Sequence, residues 1–238
     1  MLKPYKETMT QAYAPGAYVT RELILARPAA VRAVYIHPKC DAPGETEMLC
    51  LMRGIPIRAG ERPFSLINRK ENTYVLAVFE KYEARLSNDK PHIVFVGVSD
   101  EGNLGAMLRT ALACGVRDVA LVGPSADPFH PRAVRASRGA LFWLDCQRFG
   151  SFEAYRSAHP DHALYPFMLG QGCAPDAAAC EGRRFSLIFG NESMGLPPAF
   201  ADVGQVITIP QAPQVDSLNV SVAMGIGTFL FARKNGLV

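Results

Sequence analysis

A chain of 238 residues, 49% hydrophobic and 20% charged, is long enough for two domains and has the composition of a globular protein. This composition excludes a disordered chain, and the longest charge-free apolar run, residues 217–232, is too short for a membrane span of ~20 residues. The net charge of +3 is too small to identify a nucleic-acid partner, although the basic excess lies within the first 90 residues.

The cysteine and histidine patterns indicate no metal. The six cysteines include no CxxC pair, so neither a disulfide framework nor a zinc site is predicted, and a reducing cytoplasm is the expected location. His159 and His162 lie in the sequence HPDH, but no third or fourth ligand stands near them. The N-terminal stretch lacks the apolar core of a signal peptide, so we expect no secretion.

The first ninety residues alternate short strands with short helices. Thr20 is expected to cap a helix that ends before Pro28. Further strands are predicted at Ala33–Ile36, Ile55–Ile57 and Tyr74–Tyr82, with helices at 43–53 and Pro63–Ile67. The residues before Thr20 are expected to form a polar arm. This alternation predicts a small α/β domain over residues 1–88.

A polar, turn-rich segment, Leu86–Pro91, predicts a domain boundary, and a second domain then occupies residues 91–238. Its strands are predicted at His92–Val98, Val119–Val122, Ala163–Leu169, Phe185–Phe189 and Val206–Ile209, and its helices at Asn103–Cys114, Pro131–Ser137, Ser151–Ala158 and Ser217–Asn235. Strands that alternate with helices predict a mostly parallel sheet with both faces covered.

Three polar, glycine-bearing loops stand where ligands bind in such sheets, outside the carboxyl ends of strands. The first is DEGNLGAMLR, residues 100–109, in which Asn103 is expected to cap a helix. Arg109 is unfavourable near a helix start, so it is expected to pair with an anion, either a ligand or a surface carboxylate.

The second loop is FGNESMGL, residues 189–196. Gly190 would let a ligand approach the backbone, Gly195 would close the turn, and Glu192 would anchor an arginine or hold the loop; a purely structural turn is the alternative. The third is IPQAPQVDSLNVSVA, residues 209–223, in which Ser217 is either a helix cap or a site residue. No strand precedes a GxGxxG, and no lysine follows Gly195, which disfavours dinucleotide and NTP sites.

In this order and at these spacings, the stretches resemble the SpoU (TrmH-type) RNA ribose 2′-O-methyltransferases of the SPOUT superfamily. The resemblance covers about residues 91–238. It rests on NLGAMLR, IFGNESMGL and IPQAPQVDSLNVSVA, together with AVRASRGALF at residues 133–142.

The resemblance implies an α/β fold with a SPOUT-type parallel sheet and a C-terminal trefoil knot, which periodicity alone would not predict. It also implies S-adenosylmethionine in the knot and a homodimer whose active site is completed across the interface. The N-terminal domain is similar in layout to the ribosomal-protein-like RNA-binding domain of many relatives.

The same resemblance implies the site residues. Those expected to bind the cofactor are Phe189, Gly190, Asn191, Gly195, Ile209, Pro210, Gln211, Ser217 and Leu218. Those expected to act in catalysis are Arg109, Asn103, Glu192, Ser217 and Asn219. An arginine is a poor base because it stays protonated, so Arg109 is expected to grip a phosphate and stabilise the emerging alkoxide. Ser217 and Asn219 would orient the ribose and Arg109, Asn103 would position the substrate, and Glu192 would hold Arg109 or its loop.

The chain departs from the family at three positions. Glu101 replaces a common proline, and Gln211 and Pro213 replace a common methionine and glycine, which leaves cofactor affinity the least secure expectation. The predicted function is methyl transfer to a ribose 2′-hydroxyl of structured RNA, with ribosomal RNA favoured over transfer RNA by the extra N-terminal domain. The alternatives are an RNA-binding or ribosome-assembly protein of the same fold without turnover, and a Rossmann-type nucleotide enzyme.

Overall fold

In the computed structural model, which describes residues 2–40, 44–65, 73–170, 172–180 and 182–238, the chain forms two β-sheets. The N-terminal sheet has the order β1-β4-β2-β3, in which only the β2–β3 pair is parallel. Its elements are β1 (Gln11–Pro15), α1 (Ala17–Ala26), β2 (Val31–Ile36), α2 (Gly44–Arg53), β3 (Ile57–Ala59), α3 (Arg62–Ser65) and β4 (Val75–Glu80).

Two predictions for this half are wrong. Residues 11–15 are strand β1 rather than part of a polar arm, because they pair along β4 and bury Ala12, Tyr13 and Ala14. Thr20 is not a helix cap: α1 begins after Gly16, and the buried Thr20 hydroxyl donates to the carbonyl of Ala14 at 3.1 Å. The predicted strand 55–57 shares only Ile57 with β3, which begins at that residue. The end of the predicted helix Pro63–Ile67 falls outside the described residues.

The second sheet has five strands, all parallel, in the order β7-β6-β5-β9-β8. Its elements are β5 (His92–Val96), α4 (Glu101–Ala113), β6 (Asp118–Val122), α5 (Pro131–Ala136), β7 (Asp145–Phe149), α6 (Phe152–Ala158), β8 (Ala163–Pro166), β9 (Phe185–Phe189) and α7 (Val220–Lys234). The predicted α/β class and parallel sheet are therefore confirmed. None of the helices in the described part of the chain is long and apolar enough to cross a membrane.

One predicted strand of this half is absent, and one strand was not predicted. Residues 206–209 form no strand among the described residues, because Ile207 bridges to Phe167 on one side and Cys173 on the other instead of continuing along one neighbour. Strand β7 was not predicted, because only Cys146 and Phe149 of its sequence DCQRF are apolar. The strand is only partly buried.

The two halves share a hydrophobic core. Phe79 of β4 meets Phe142, in a short 3-10 turn after α5, edge to face at 5.3 Å. Arg27 donates to the carbonyl oxygen of Phe142 at 3.1 Å and pairs with Asp145 at 3.0 Å. The polar segment 86–91 does connect the two sheets, but the sheets are packed against each other, and the division into two domains stays a prediction.

Candidate active site

A cavity of about 320 Å³ opens at the carboxyl ends of β8 and β9, where parallel sheets bind ligands. Three segments enclose it: the residues after β8, the loop after β9, and the stretch that leads into α7. The predicted site residues that line it are Phe189, Gly190, Asn191, Glu192, Gly195, Ile209, Gln211, Ser217 and Leu218. The site residues implied by the resemblance therefore make up half of the cavity lining.

The loop after β9 is a closed turn. The backbones of Asn191 and Gly195 bond to each other in both directions, at 2.9 and 3.2 Å, and Gly195 has a positive φ of 67°. A Cβ on Gly190 would lie less than 3.0 Å from the backbone of Gly195, so only glycine fits there. The Asn191 amide donates to the carbonyl of Gly97 at 2.8 Å, which fastens the turn to the end of β5.

Glu192 fastens the same turn to the start of α4. Its carboxylate accepts hydrogen bonds from the backbone N–H groups of Ser99 at 3.1 Å and Asp100 at 3.0 Å, and from the Asn103 side chain at 3.5 Å. Burial acts to raise the pKa of Glu192, but the backbone N–H groups outweigh it and hold that pKa below its usual value. Among the described contacts, Glu192 holds loops together rather than Arg109.

The two helix starts near the cavity are capped by residues other than those predicted. Asp100 caps α4 by accepting from the N–H of Asn103 at 2.7 Å, so Asn103 is not the cap. Asn219 caps α7 by accepting from the N–H of Ser221 at 2.9 Å, so the helix begins at Val220. A capping side chain accepts from the N–H two or three residues further on, as Asn219 and Asp100 do here. Ser217 is thereby left to line the cavity.

The floor of the cavity is aromatic. Phe167, just after β8, stacks on Phe189 with ring centroids 4.4 Å apart. On α7, a Cβ at Gly227 would lie less than 3.0 Å from the Phe167 ring, so the glycine makes room for it. Phe167, Met168 and Leu169 line the cavity but were not predicted as site residues. The sequence could have indicated them, because they lie at the end of a predicted parallel strand, beside Phe189.

Gln211 places a buried, unpaired acceptor at the cavity. Within the described part of the chain, its Oε1 is shielded from solvent and has no hydrogen-bond partner. A buried acceptor without a donor is costly, which makes it a ready partner for an N–H group of a ligand. An aromatic floor, a close backbone turn and this acceptor together suit a nucleoside such as that of S-adenosylmethionine.

Four predicted site residues lie away from the described wall of this cavity. Arg109 lines a separate cleft of about 440 Å³ with Tyr18, Arg138 and Trp143. Asn103 and Asn219 take part in the helix starts described above, and Pro210 is exposed. Within one chain, Arg109 and Ser217 therefore line different cavities.

Known proteins are similar to this chain in both sequence and fold. The chain is 29% identical over 217 residues to the 23S rRNA (guanosine(2553)-2'-O)-methyltransferase RlmP of Bacillus subtilis, across 89% of this chain and 84% of that protein. It is 33% identical to an uncharacterized tRNA/rRNA methyltransferase of Synechocystis, but that match covers 56% of this chain and only 50% of the relative. The AdoMet-bound rRNA methyltransferase from Sinorhizobium meliloti superposes with a TM-score of 0.79 at 27% identity, over 94% of this chain and 88% of that one.

A family profile also matches this chain. Residues 90–229 fit the sequence profile of the SpoU rRNA Methylase family, and this stretch contains all three loops described above. The predicted family is confirmed. This chain belongs to the SpoU rRNA Methylase family.

Proposed function

We propose that this protein methylates a ribose 2′-hydroxyl of ribosomal RNA with S-adenosylmethionine. The methyltransferase class and this cofactor follow from the family and agree with the prediction. The observation that carries the proposal is the cavity at the ends of β8 and β9, whose aromatic floor and unpaired Gln211 acceptor suit the cofactor. Ribosomal RNA is favoured because the relative named for 23S rRNA aligns over 89% of this chain, which must include much of the N-terminal half.

The residues of the cavity support the following roles in the reaction. When bound, S-adenosylmethionine supplies a methyl group on a positively charged sulfur. Gly190 and Gln211 hold the nucleoside end, and Ser217, at the wall and not engaged as a cap, orients the ribose. Asn219 and Glu192 act by fixing the loops that carry these groups.

Arg109 enters the site from a second copy of the chain. Helix α7 exposes the apolar side chains of Val222, Ile226 and Phe229, with 49%, 38% and 47% of their surface accessible. Helix α4 adjoins this face, since a Cβ on Gly225 would lie 3.6 Å from the Thr110 side chain, next to Arg109. Pairing two such faces would bury the apolar side chains and bring Arg109 to the partner's cavity.

The knot and the N-terminal domain are also part of the proposal. Residues 206–208 bond to Pro166 and Met168 on one side and to Cys173 on the other, which is how a segment threaded beside a loop would bond. The N-terminal half, residues 1–88, would bind RNA, with the exposed Arg58 above the Tyr35 ring offering a stacking surface. A cytoplasmic location is consistent with six free cysteines.

Methyl transfer from labelled S-adenosylmethionine to unmodified ribosomal RNA and transfer RNA transcripts tests the function. We expect ribosomal RNA to be labelled at a ribose 2′-oxygen, and Arg109→Ala to abolish the transfer while cofactor binding stays measurable by calorimetry. Cofactor binding without transfer to any RNA would favour the RNA-binding protein without turnover. Retained turnover in Arg109→Ala would contradict the role of Arg109.

Mixing two inactive variants tests the shared site. An Arg109→Ala chain and a Ser217→Ala chain, refolded or co-expressed together, should recover up to about a quarter of the wild-type activity, because half of randomly assorted dimers carry one intact site. No recovery from a mixture shown to be dimeric would place both residues in the same protomer's site.

A further inference from the structure

Three histidines meet at the end of the sheet opposite the cavity. His92 is the first residue of β5, and His159 and His162 follow α6; all three are buried. One ring nitrogen of each lies within 4.8 Å of those of the other two. The sequence offered only the pair in HPDH, and the fold brings the third histidine from a strand far away in the chain.

Each ring donates one hydrogen bond to an oxygen that can only accept. His92 Nε2 lies 2.8 Å from the carbonyl of Ser87, and His162 Nε2 lies 3.1 Å from the carbonyl of Asn88. His159 Nδ1 lies 2.6 Å from the side-chain oxygen of Asn88. A neutral ring carries one proton, so these contacts fix the tautomers and leave a lone pair on each other nitrogen: Nδ1 of His92, Nδ1 of His162 and Nε2 of His159.

The cluster holds more hydrogen-bonding contacts than protons that can make them. His92 Nδ1 contacts the Tyr155 hydroxyl at 2.9 Å, His162 Nδ1 contacts the Ser186 hydroxyl at 2.9 Å, and the two hydroxyls contact each other at 2.6 Å. Two hydroxyl protons cannot make three hydrogen bonds. Among the described residues, His159 Nε2 is also buried without any partner. A cation that takes the three lone pairs, with the two hydroxyls moved off the ring nitrogens and still bonded to each other, would remove both shortages.

We propose that His92, His159 and His162 bind a divalent transition-metal ion, Zn²⁺ by preference, through these three nitrogens. Three neutral imidazoles are a common zinc ligand set. In metal sites the second ring nitrogen of each histidine donates to a carbonyl or carboxylate, and here all three do so to oxygens of Ser87 and Asn88.

The position indicates a structural role. Ser87 and Asn88 belong to the segment that connects the two sheets, and both are held by the cluster. The cavity lies beyond Phe189, at the other end of β9 from Ser186. The metal would therefore fasten the connecting segment to the second sheet without taking part in methyl transfer.

Metal binding by the full-length protein tests the site. Protein produced without a polyhistidine tag is stripped with EDTA and titrated with Zn²⁺ by calorimetry, and with Co²⁺ by visible absorption. We expect one equivalent per chain, an absorption spectrum of nitrogen-ligated Co²⁺, and a thermal unfolding midpoint that rises with Zn²⁺. His159→Gln should weaken binding by more than about 100-fold. His37→Gln, a histidine outside the cluster, is the matched control and should bind as wild type.

A milder variant keeps the test decisive if His159→Gln does not fold. Asn88→Ala changes an exposed side chain whose role in the cluster is to orient His159, and it should weaken Zn²⁺ binding by about 10-fold or more while circular dichroism stays unchanged. Absence of stoichiometric binding in the wild type, or equal affinities in the wild type and the folded variants, would overturn the proposal and leave the cluster a hydrogen-bonded core feature.

Discussion

Gln211 shows how one residue can be unfavourable for folding and favourable for binding. Its unpaired Oε1 destabilises the free protein, and we propose that the cofactor satisfies it. Gln211→Leu should therefore raise the unfolding midpoint of the cofactor-free protein and weaken S-adenosylmethionine binding by about 5-fold, equivalent to a hydrogen bond of about 1 kcal/mol. Thermal unfolding and calorimetry measure the two effects. Gln214→Leu, an exposed change in the same stretch, is the control, and unchanged affinity in Gln211→Leu would contradict the contact.

The lowered pKa of Glu192 predicts how the stability of the folded protein depends on pH. Its pKa is held below the usual value in the folded protein, so the unfolded chain binds its proton more readily. The stabilisation is present above the unfolded pKa of about 4.3 and is lost as pH falls through the lower folded value. Glu192→Gln should lower the unfolding midpoint at pH 7, and the difference from wild type should shrink below about pH 4. An equal difference at every pH would mean that the charge is irrelevant; exposed Glu83→Gln serves as the control.

At the scale of elements, the turn after β9 brings two stretches of backbone so close together that no side chain fits at Gly190. A methyl group on Gly190 would meet the carbonyl of Gly195, which is backbone and cannot move aside like a flexible side chain. Gly190→Ala should therefore open the turn, destabilise the protein by roughly 1–3 kcal/mol and abolish cofactor binding. Chemical unfolding and calorimetry measure both. Gly150→Ala, where a Cβ would meet nothing within 4 Å, should be neutral, and a neutral Gly190→Ala would show that the turn adapts.

Elements with strong apolar patterns were predicted well from the sequence, whereas those decided by their neighbours were not. Strand β9, FSLIF, is apolar except for Ser186 and was located to the residue. Residues 11–15 carry no such pattern and become a strand only because β4 lies alongside. The cap of α7 went to Asn219 instead of Ser217 because cap geometry depends on the first turn, which the sequence does not fix within two residues.

At the scale of the molecule, local sequence predicted the cavity but not what distant segments contribute to it. Loops at the ends of parallel strands converge by topology, so Gly190 and Ser217 could be assigned to one site. Arg109 could be assigned only by resemblance, and its direction relative to the cavity depends on how α4 is rotated against α5 and α7. The histidine cluster required two distant segments to meet, which no spacing in the sequence reveals.

The shared core predicts that the two halves do not unfold independently. Phe79 covers Phe142, and Lys81 of the N-terminal half pairs at 3.0 Å with Asp127, whose side chain is only 8% exposed. Deleting residues 1–88 would uncover the Phe142 ring and remove Tyr5 and Lys81, the two side chains that bind the Asp127 carboxylate. We expect the remaining chain to bind a hydrophobic dye and to melt well below the full-length protein.

A point variant separates this coupling from the effects of truncation. Phe79→Ala in the full chain should cost about 3–5 kcal/mol, and the protein should still unfold in one transition detected equally in both sheets by hydrogen exchange. Two separate transitions, or a fragment of residues 91–238 that melts at the same temperature as the full chain, would instead establish two independent domains joined at residues 86–91. The coupling matters for function because an N-terminal half that binds RNA would then hold it in a fixed orientation toward the cavity rather than on a flexible tether.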